Sequence, residues 1–267
     1  MAKKPPKIKM CVDRVLTGMA KIDAMHNAIK ENPANGPPMP KPTAKRFGAS
    51  SAMSPAKMAL IAGKKWKNGR TLNVHFLDGS AIQREKTQKY AENWSAICGI
   101  KFKFGTAKAQ SDIRISFKAD PGSWSYVGTD NIGIPNNEPT MNFGWLDDDS
   151  DENEWERVVV HEFGHALGAI HEHQNPKGGI KWNEAAVIKY FSGPPNNWSK
   201  EDIEVNVLGK YSITQLNATQ YDPNSIMLYA FDGALMANGK PTQHNTKMSK
   251  RDRSFIRKQY PKAKKKA

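Results

Sequence analysis

Cysteine is almost missing from this chain. Of 267 residues only Cys11 and Cys98 carry thiols, so at most one internal bridge can form and a disulfide-scaffold fold is excluded. Long apolar runs are missing too. The tightest stretches, such as Val158-Val159-Val160, break within a few positions, far short of the roughly 18 residues a membrane span needs. Met1–Met10 reads MAKKPPKIKM, a basic start with no apolar core behind it, so no secretory signal is expected in the chain as given. Net charge is far from zero at +14, yet its distribution argues against a dedicated nucleic-acid partner. Residues 1–50 carry 10 Lys/Arg against 3 Asp/Glu and residues 247–267 carry 10 against 1, whereas 51–246 carry 20 against 22. The excess sits in the ends, where a run such as Lys262–Lys266 is a solvated tail, and no basic stripe with interleaved aromatics accompanies it.

What remains is a chain with 38% hydrophobic residues, enough for a globular core. Residues 1–59 are set apart as an N-terminal helix plus a linker. Val12, Val15, Leu16, Met19, Ile22, Met25 and Ile29 recur at helical spacing, and Pro33, Pro37, Pro38, Pro40 and Pro42 follow around Asn35-Gly36,. From about Trp66 the pattern tightens. Thr71–Leu77 alternates as a strand, Ile82–Ile97 reads as a helix, and Ile100–Phe104, Ile113–Phe117 and Met141–Leu146 read as further strands,. Strands separated by a long helix predict a mixed sheet with a helix packed on it. Asp147–Glu156 holds seven acidic side chains ahead of a helix over Trp155–Ile170. Carboxylates crowding a helix start complement its positive end, and calcium binding is the alternative.

The chemistry lies in that helix: His161-Glu162-Phe163-Gly164-His165, then Gly168 and His171. His161 and His165 are one turn apart and project from one face. Gly168 can adopt the left-handed conformation that ends the helix and brings His171 back from another direction. Three neutral imidazoles with one open position are the ligand set of catalytic zinc, which acidifies water. Glu162, beside a ligand, is the candidate general base. His173 does not fit ligand spacing and is expected to be a supporting or surface group. His26, His75 and His244 have no partners at such spacing.

H-E-x-x-H-x-x-G-x-x-H resembles the metzincin signature of zinc metallopeptidases. Tyr221–Tyr229, with Ser225-Ile226-Met227-Leu228-Tyr229, is similar to the Met-turn of the astacin-like branch. The resemblance covers Trp66 to Pro261. It implies an α+β catalytic domain over 60–267. The upper subdomain, about 60–171, would hold a twisted mixed sheet, a backing helix and the active-site helix. The lower one, about 172–267, would be mostly irregular, ending in a helix at Ser249–Tyr260 and a basic tail. It further implies one catalytic zinc ion on His161, His165 and His171, Met227 as an apolar floor beneath them, and Tyr229 as a zinc or oxyanion partner. Thr140–Leu146 matches the edge strand along the cleft, to which an extended polypeptide substrate adds antiparallel.

Glu172 matches the family glutamate that pairs with a new amino terminus once a pro-segment, here 1–59, is removed. The stretch after it, His173-Gln174-Asn175-Pro176, departs from the astacin pattern, and two cysteines cannot form the two usual disulfides. By resemblance alone the protein is expected outside the cell. Cys11 and Asp13 are candidates for an N-terminal ligand that fills the open zinc position and keeps the enzyme latent, a buried thiol or a bridge to Cys98 being the plainer reading of Cys11. The implied activity is zinc-dependent endopeptidase. Two alternatives stand beside it: a zinc-binding pseudoenzyme docking on anionic polymers, against which the intact Glu162 argues, and a zinc amidase acting on cell-wall peptides.

Overall fold

The computed structural model describes residues 11, 14–36, 63–119, 122–194, 196–210 and 220–263. The N-terminal helix α1 runs over Gly18–Glu31, six residues later than the apolar spacing predicts. Val15 and Met19 are exposed, and Ala24, Met25 and Ala28 form the buried face. Val12 and Asp13 lie outside the described residues. The helix ends in a set of asparagine bonds that fasten it to the body. Asn32 caps the short 3₁₀ turn Pro33–Asn35. Asn35 donates to the Ala28 and Lys65 carbonyls and accepts from the Lys65 amide. Arg70 bridges Glu31 and Asp112.

The body is built on a five-stranded sheet. In chain order the elements are β1 (Thr71–Phe76), α2 (Ala81–Ser95), β2 (Lys101–Phe104), β3 (Ile113–Ser116), β4 (Trp124–Ser125) and β5 (Met141–Asn142). The active-site helix α3 is Glu152–Ala166, and α4 (Glu184–Ser192), α5 (Lys200–Ile203) and α6 (Lys250–Gln259) complete the set. Strand order is β2-β1-β3-β5-β4, all pairs parallel except β4 against β5. Thr140–Leu146 is therefore not the edge strand. Its Met141-Asn142 pairs on both sides, and the edge belongs to Trp124-Ser125. Pairing order is a non-local property that alternation within one segment does not encode.

Helix α2 starts with a capping box between Ser80 and Gln83, which satisfies two otherwise orphaned amides. It packs Thr87, Tyr90, Ala91 and Trp94 inward, and the Trp94 indole donates to the Val160 carbonyl in α3 at 2.9 Å. On the other side of α3, Phe163 meets Phe102 of β2 edge-on with ring centroids 4.8 Å apart. The last carbonyls of α3 have no partner within the helix. The Trp66 indole donates to Ala166 at 2.7 Å, and the Tyr260 hydroxyl donates to Leu167 at 2.9 Å. Both ends of the described catalytic body thus clamp the end of the active-site helix. The acidic run before α3 is used locally: Asp151 caps the helix, Asp148 accepts from Ser80, and Glu154 pairs with Arg157. No helix among the described residues is long and apolar enough to cross a membrane.

Candidate active site

Helix α3 presents His161, Glu162 and His165, all buried. Gly168 follows at φ +95°, the left-handed conformation that only glycine adopts cheaply, and the chain turns so that His171 faces the other two. His161 Nδ1 donates to the Ile226 carbonyl at 2.8 Å and His165 Nδ1 to the Ala169 carbonyl at 2.9 Å. A carbonyl can only accept, so both rings carry their proton on Nδ1 and turn the Nε2 lone pair inward. Those lone pairs converge: His165 Nε2 lies 3.1 Å from His161 Nε2 and 2.9 Å from His171 Nε2. Three nitrogens about 2.0–2.1 Å from a shared tetrahedral ion would be about 3.4 Å apart, so the donor set fits zinc. Burial, reinforced by the neighbouring histidines, holds His161 well below the usual imidazole pKa, and burial followed by His173 does the same to His171. Neutral rings are the form that binds a metal.

The Ser225–Tyr229 stretch packs against α3 and the histidines. Gly164 faces Met227 so closely that an added Cβ would stand 2.6 Å from the sulfur, which explains the glycine between the two helical histidines. The turn is held from below. Asp252, third residue of the α6 capping box, accepts from the Ser225 hydroxyl at 2.7 Å and the Ile226 amide at 2.9 Å. The same Ile226 residue fixes His161 through its carbonyl.

Cys11 completes the group. Its sulfur and the three histidine nitrogens all lie within 4.8 Å of one another, and this is the metal-compatible His/Cys/Asp/Glu cluster among the described residues. The thiol donates to Glu162 Oε2 at 3.1 Å. Tyr229 is buried, donates to the Cys11 carbonyl at 3.0 Å and touches His171 Nε2. Cys11 and Cys98 are not joined in a disulfide, so the bridge between them is not formed. His173 is buried, not on the surface. It stacks on His171 at 5.3 Å and donates to the Asn206 carbonyl.

Glu172 accepts from the Asp222 amide at 2.8 Å and from Asn175 at 3.0 Å, and burial pushes its carboxyl up to about 7. It lines an open pocket with Met227, Asp222, Arg251 and Asp252. Trp124, on the edge strand of the sheet, and Tyr126 just after it give no signal in the sequence. Two residues of strand are too short to show a period.

The family model of astacin, a peptidase family, matches residues 60–260. Two solved structures of myroilysin are each 43% identical to the chain. One covers 75% of this chain and 97% of its own with a TM-score of 0.72, the other 74% and 86% with 0.60. High choriolytic enzyme 1, a hatching-enzyme zinc protease from the medaka fish Oryzias latipes, shares the fold at 19% identity, covering 75% of this chain and 94% of its own with a TM-score of 0.51. No curated protein sequence matches the chain. With three quarters of its length matched and its histidine cluster suited to the ion, the chain belongs to the astacin family of zinc metalloendopeptidases.

Proposed function

We propose that His161, His165 and His171 hold the zinc ion and that Glu162 is the general base of peptide-bond hydrolysis. When bound, zinc supplies Lewis acidity toward a carbonyl oxygen and a water molecule. The protein's own groups do the rest. The observation that carries the assignment is the Cys11 thiol, which occupies the open side of the histidine cluster and hydrogen-bonds to Glu162. A water in the same place would meet the same carboxylate, which accepts its proton and returns it to the departing amine. Tyr229, whose hydroxyl reaches the Cys11 carbonyl from across the site, is placed to donate to the oxyanion of a substrate carbonyl. One such donor is typically worth about 3–4 kcal/mol of barrier. Met227 is the apolar floor. The edge strand β4 offers backbone groups to an extended polypeptide.

In this reading residues 1–59 act as a covering segment and Cys11 keeps the site closed. Glu172, a half-buried carboxylate without a cationic partner among the described residues, is suited to receive a new amino terminus. The zinc-loaded Cys11→Ala chain is expected to cleave an unfolded protein substrate, while Cys11→Ala/Glu162→Ala retains zinc and loses nearly all turnover. Equal cleavage by both, followed over time on gels, overturns the role of Glu162.

A further inference from the structure

Arg14 lies outside the metal cluster but only three residues from Cys11, which belongs to it. Its guanidinium carbon stands 4.3 Å from the centroid of the Trp124 ring, the geometry of a cation–π contact. Tyr126 meets Trp124 edge-on with centroids 5.8 Å apart, so the two rings make one aromatic corner on the edge strand. Arg14 Nε and Trp124 Nε1 are both buried, and neither has a hydrogen-bond partner among the described residues. Arg14 is half-buried, and its planar guanidinium lies over the ring face, whose negative quadrupole receives the charge. The corner is electrostatically suited to it. Burial raises the Tyr126 phenol, Arg14 opposes that rise, and Glu138 and Asp130 add to it, which places two carboxylates within reach. Asp130 is engaged by Lys64. Glu138 is exposed and makes no ion pair among the described residues.

Three residues before Arg14, Cys11 stands at the metal position. A three-residue step spans at most about 11 Å, so the corner belongs to the stretch of cleft that a substrate occupies beside its scissile bond. We propose that Trp124 and Tyr126 form a guanidinium subsite that takes an arginine side chain of the polypeptide substrate, the place Arg14 covers in the full chain. The inference rests on the peptidase reading above. A flat, weakly hydrated guanidinium stacks on a ring better than an ammonium does, so arginine is preferred over lysine.

Two measurements on the full chain separate this proposal from the reading it rests on. In the first, the zinc-loaded Cys11→Ala/Arg14→Ala chain, in which neither the metal position nor the aromatic corner is covered, cuts a peptide set that places arginine, lysine, citrulline or alanine at each position within three residues of one cleavable bond. At one position arginine is expected to raise kcat/KM roughly tenfold over citrulline, its neutral isostere, with lysine between them. Trp124→Phe should narrow that ratio and Trp124→Leu remove it. In the second, the Arg14→Ala chain is labelled with fluorotryptophan, and the Trp124 resonance is identified by its loss in Trp124→Phe. N-acetylarginine methylamide should shift it saturably, the citrulline analogue should not, and wild type should respond weakly because Arg14 fills the site. A Trp124 resonance that ignores the arginine compound, or cleavage with no arginine preference, overturns the subsite. A responsive resonance with no cleavage of any peptide supports the subsite and counts against the peptidase reading alone.

Discussion

The protein has two apolar cores, and they depend on the N-terminal segment differently. The larger gathers Trp66, Phe102, Trp155, Phe163, Met227 and Tyr260 around the sheet and the active-site helix, with every member between residues 66 and 260. The smaller gathers Val187, Phe191, Val207, Tyr229 and Phe231, and it includes Cys11. The first core is complete without the segment. The second has a residue of that segment as part of its packing. The metal cluster lies at their junction, with His161 and His165 anchored in the first and Tyr229 in the second. Withdrawal of Cys11 should therefore open the smaller core and the cleft while the helix that carries the histidines stays in place.

The largest effect is expected from emptying the first core. Phe163 is fully buried between His161 and His165 on the opposite face of α3 and packs on Phe102 and Phe104. Phe163→Ala should cost about 3–5 kcal/mol, read as a lower midpoint in denaturant, and should weaken zinc affinity in the same sample. Full stability with normal zinc binding would show that the first core is not what positions the histidines. Zinc removal comes next. An ion that binds only the folded state stabilises by about 3–4 kcal/mol when present at one hundred to one thousand times its Kd. Chelation should lower Tm accordingly, and re-addition of zinc should restore it.

Cys11→Ala should have a smaller effect on stability, of opposite sign to its effect on activity. It removes a small buried side chain and its bond to Glu162, a loss of about 1–2 kcal/mol. Initial cleavage by the full chain should rise because nothing then fills the open ligand position. If the variant is no faster than wild type and zinc exchanges at the same rate, Cys11 is merely a packed thiol of the second core.

Spacing and alternation made the first core readable, and much less of the second. The five positions from His161 to His171 mark a helix, a glycine turn and three histidines, and the structure brings all three imidazoles together. Alternation in Thr71–Phe76 marks Leu72 and Val74 as inward, and both are buried. The second core is assembled from short pieces: Trp124 on a two-residue strand, Phe231 in irregular chain, Cys11 from the far end. None carries a period, and what joins them is contact such as that of Tyr229 with Cys11, 218 positions apart. The same reason moved the cleft edge from Thr140–Leu146 to Trp124-Ser125. Helix α1 began late because Thr17 and Gly18, at φ +55°, break the continuity that Val12, Val15 and Leu16 suggested.

The smallest expected effect sharpens the contrast from the first core's side. Glu152 opens α3, and its carboxylate holds three groups of α2: the Tyr90 hydroxyl, Lys86 at 3.0 Å and Lys89 at 3.1 Å. The Tyr90 bond, followed by those to the lysines, lowers its pKa from the ordinary 4.5 to about 2. A folded-state value below the unfolded one means that its contribution is fully present above pH 4.5 and is lost as pH falls toward 2. Glu152→Gln should lower Tm slightly at neutral pH and flatten its fall between pH 4.5 and 2, so that the two proteins converge in acid. The carboxylate is half exposed, which is why the shift should be slight. Both α2 and α3 belong to the first core, so this loss should leave the rate of proteolytic nicking near Arg14 as it is in wild type. Parallel Tm curves down to pH 2, or faster nicking, would mean that Glu152 does not tie these helices, or that the two cores are less separate than their packing makes them.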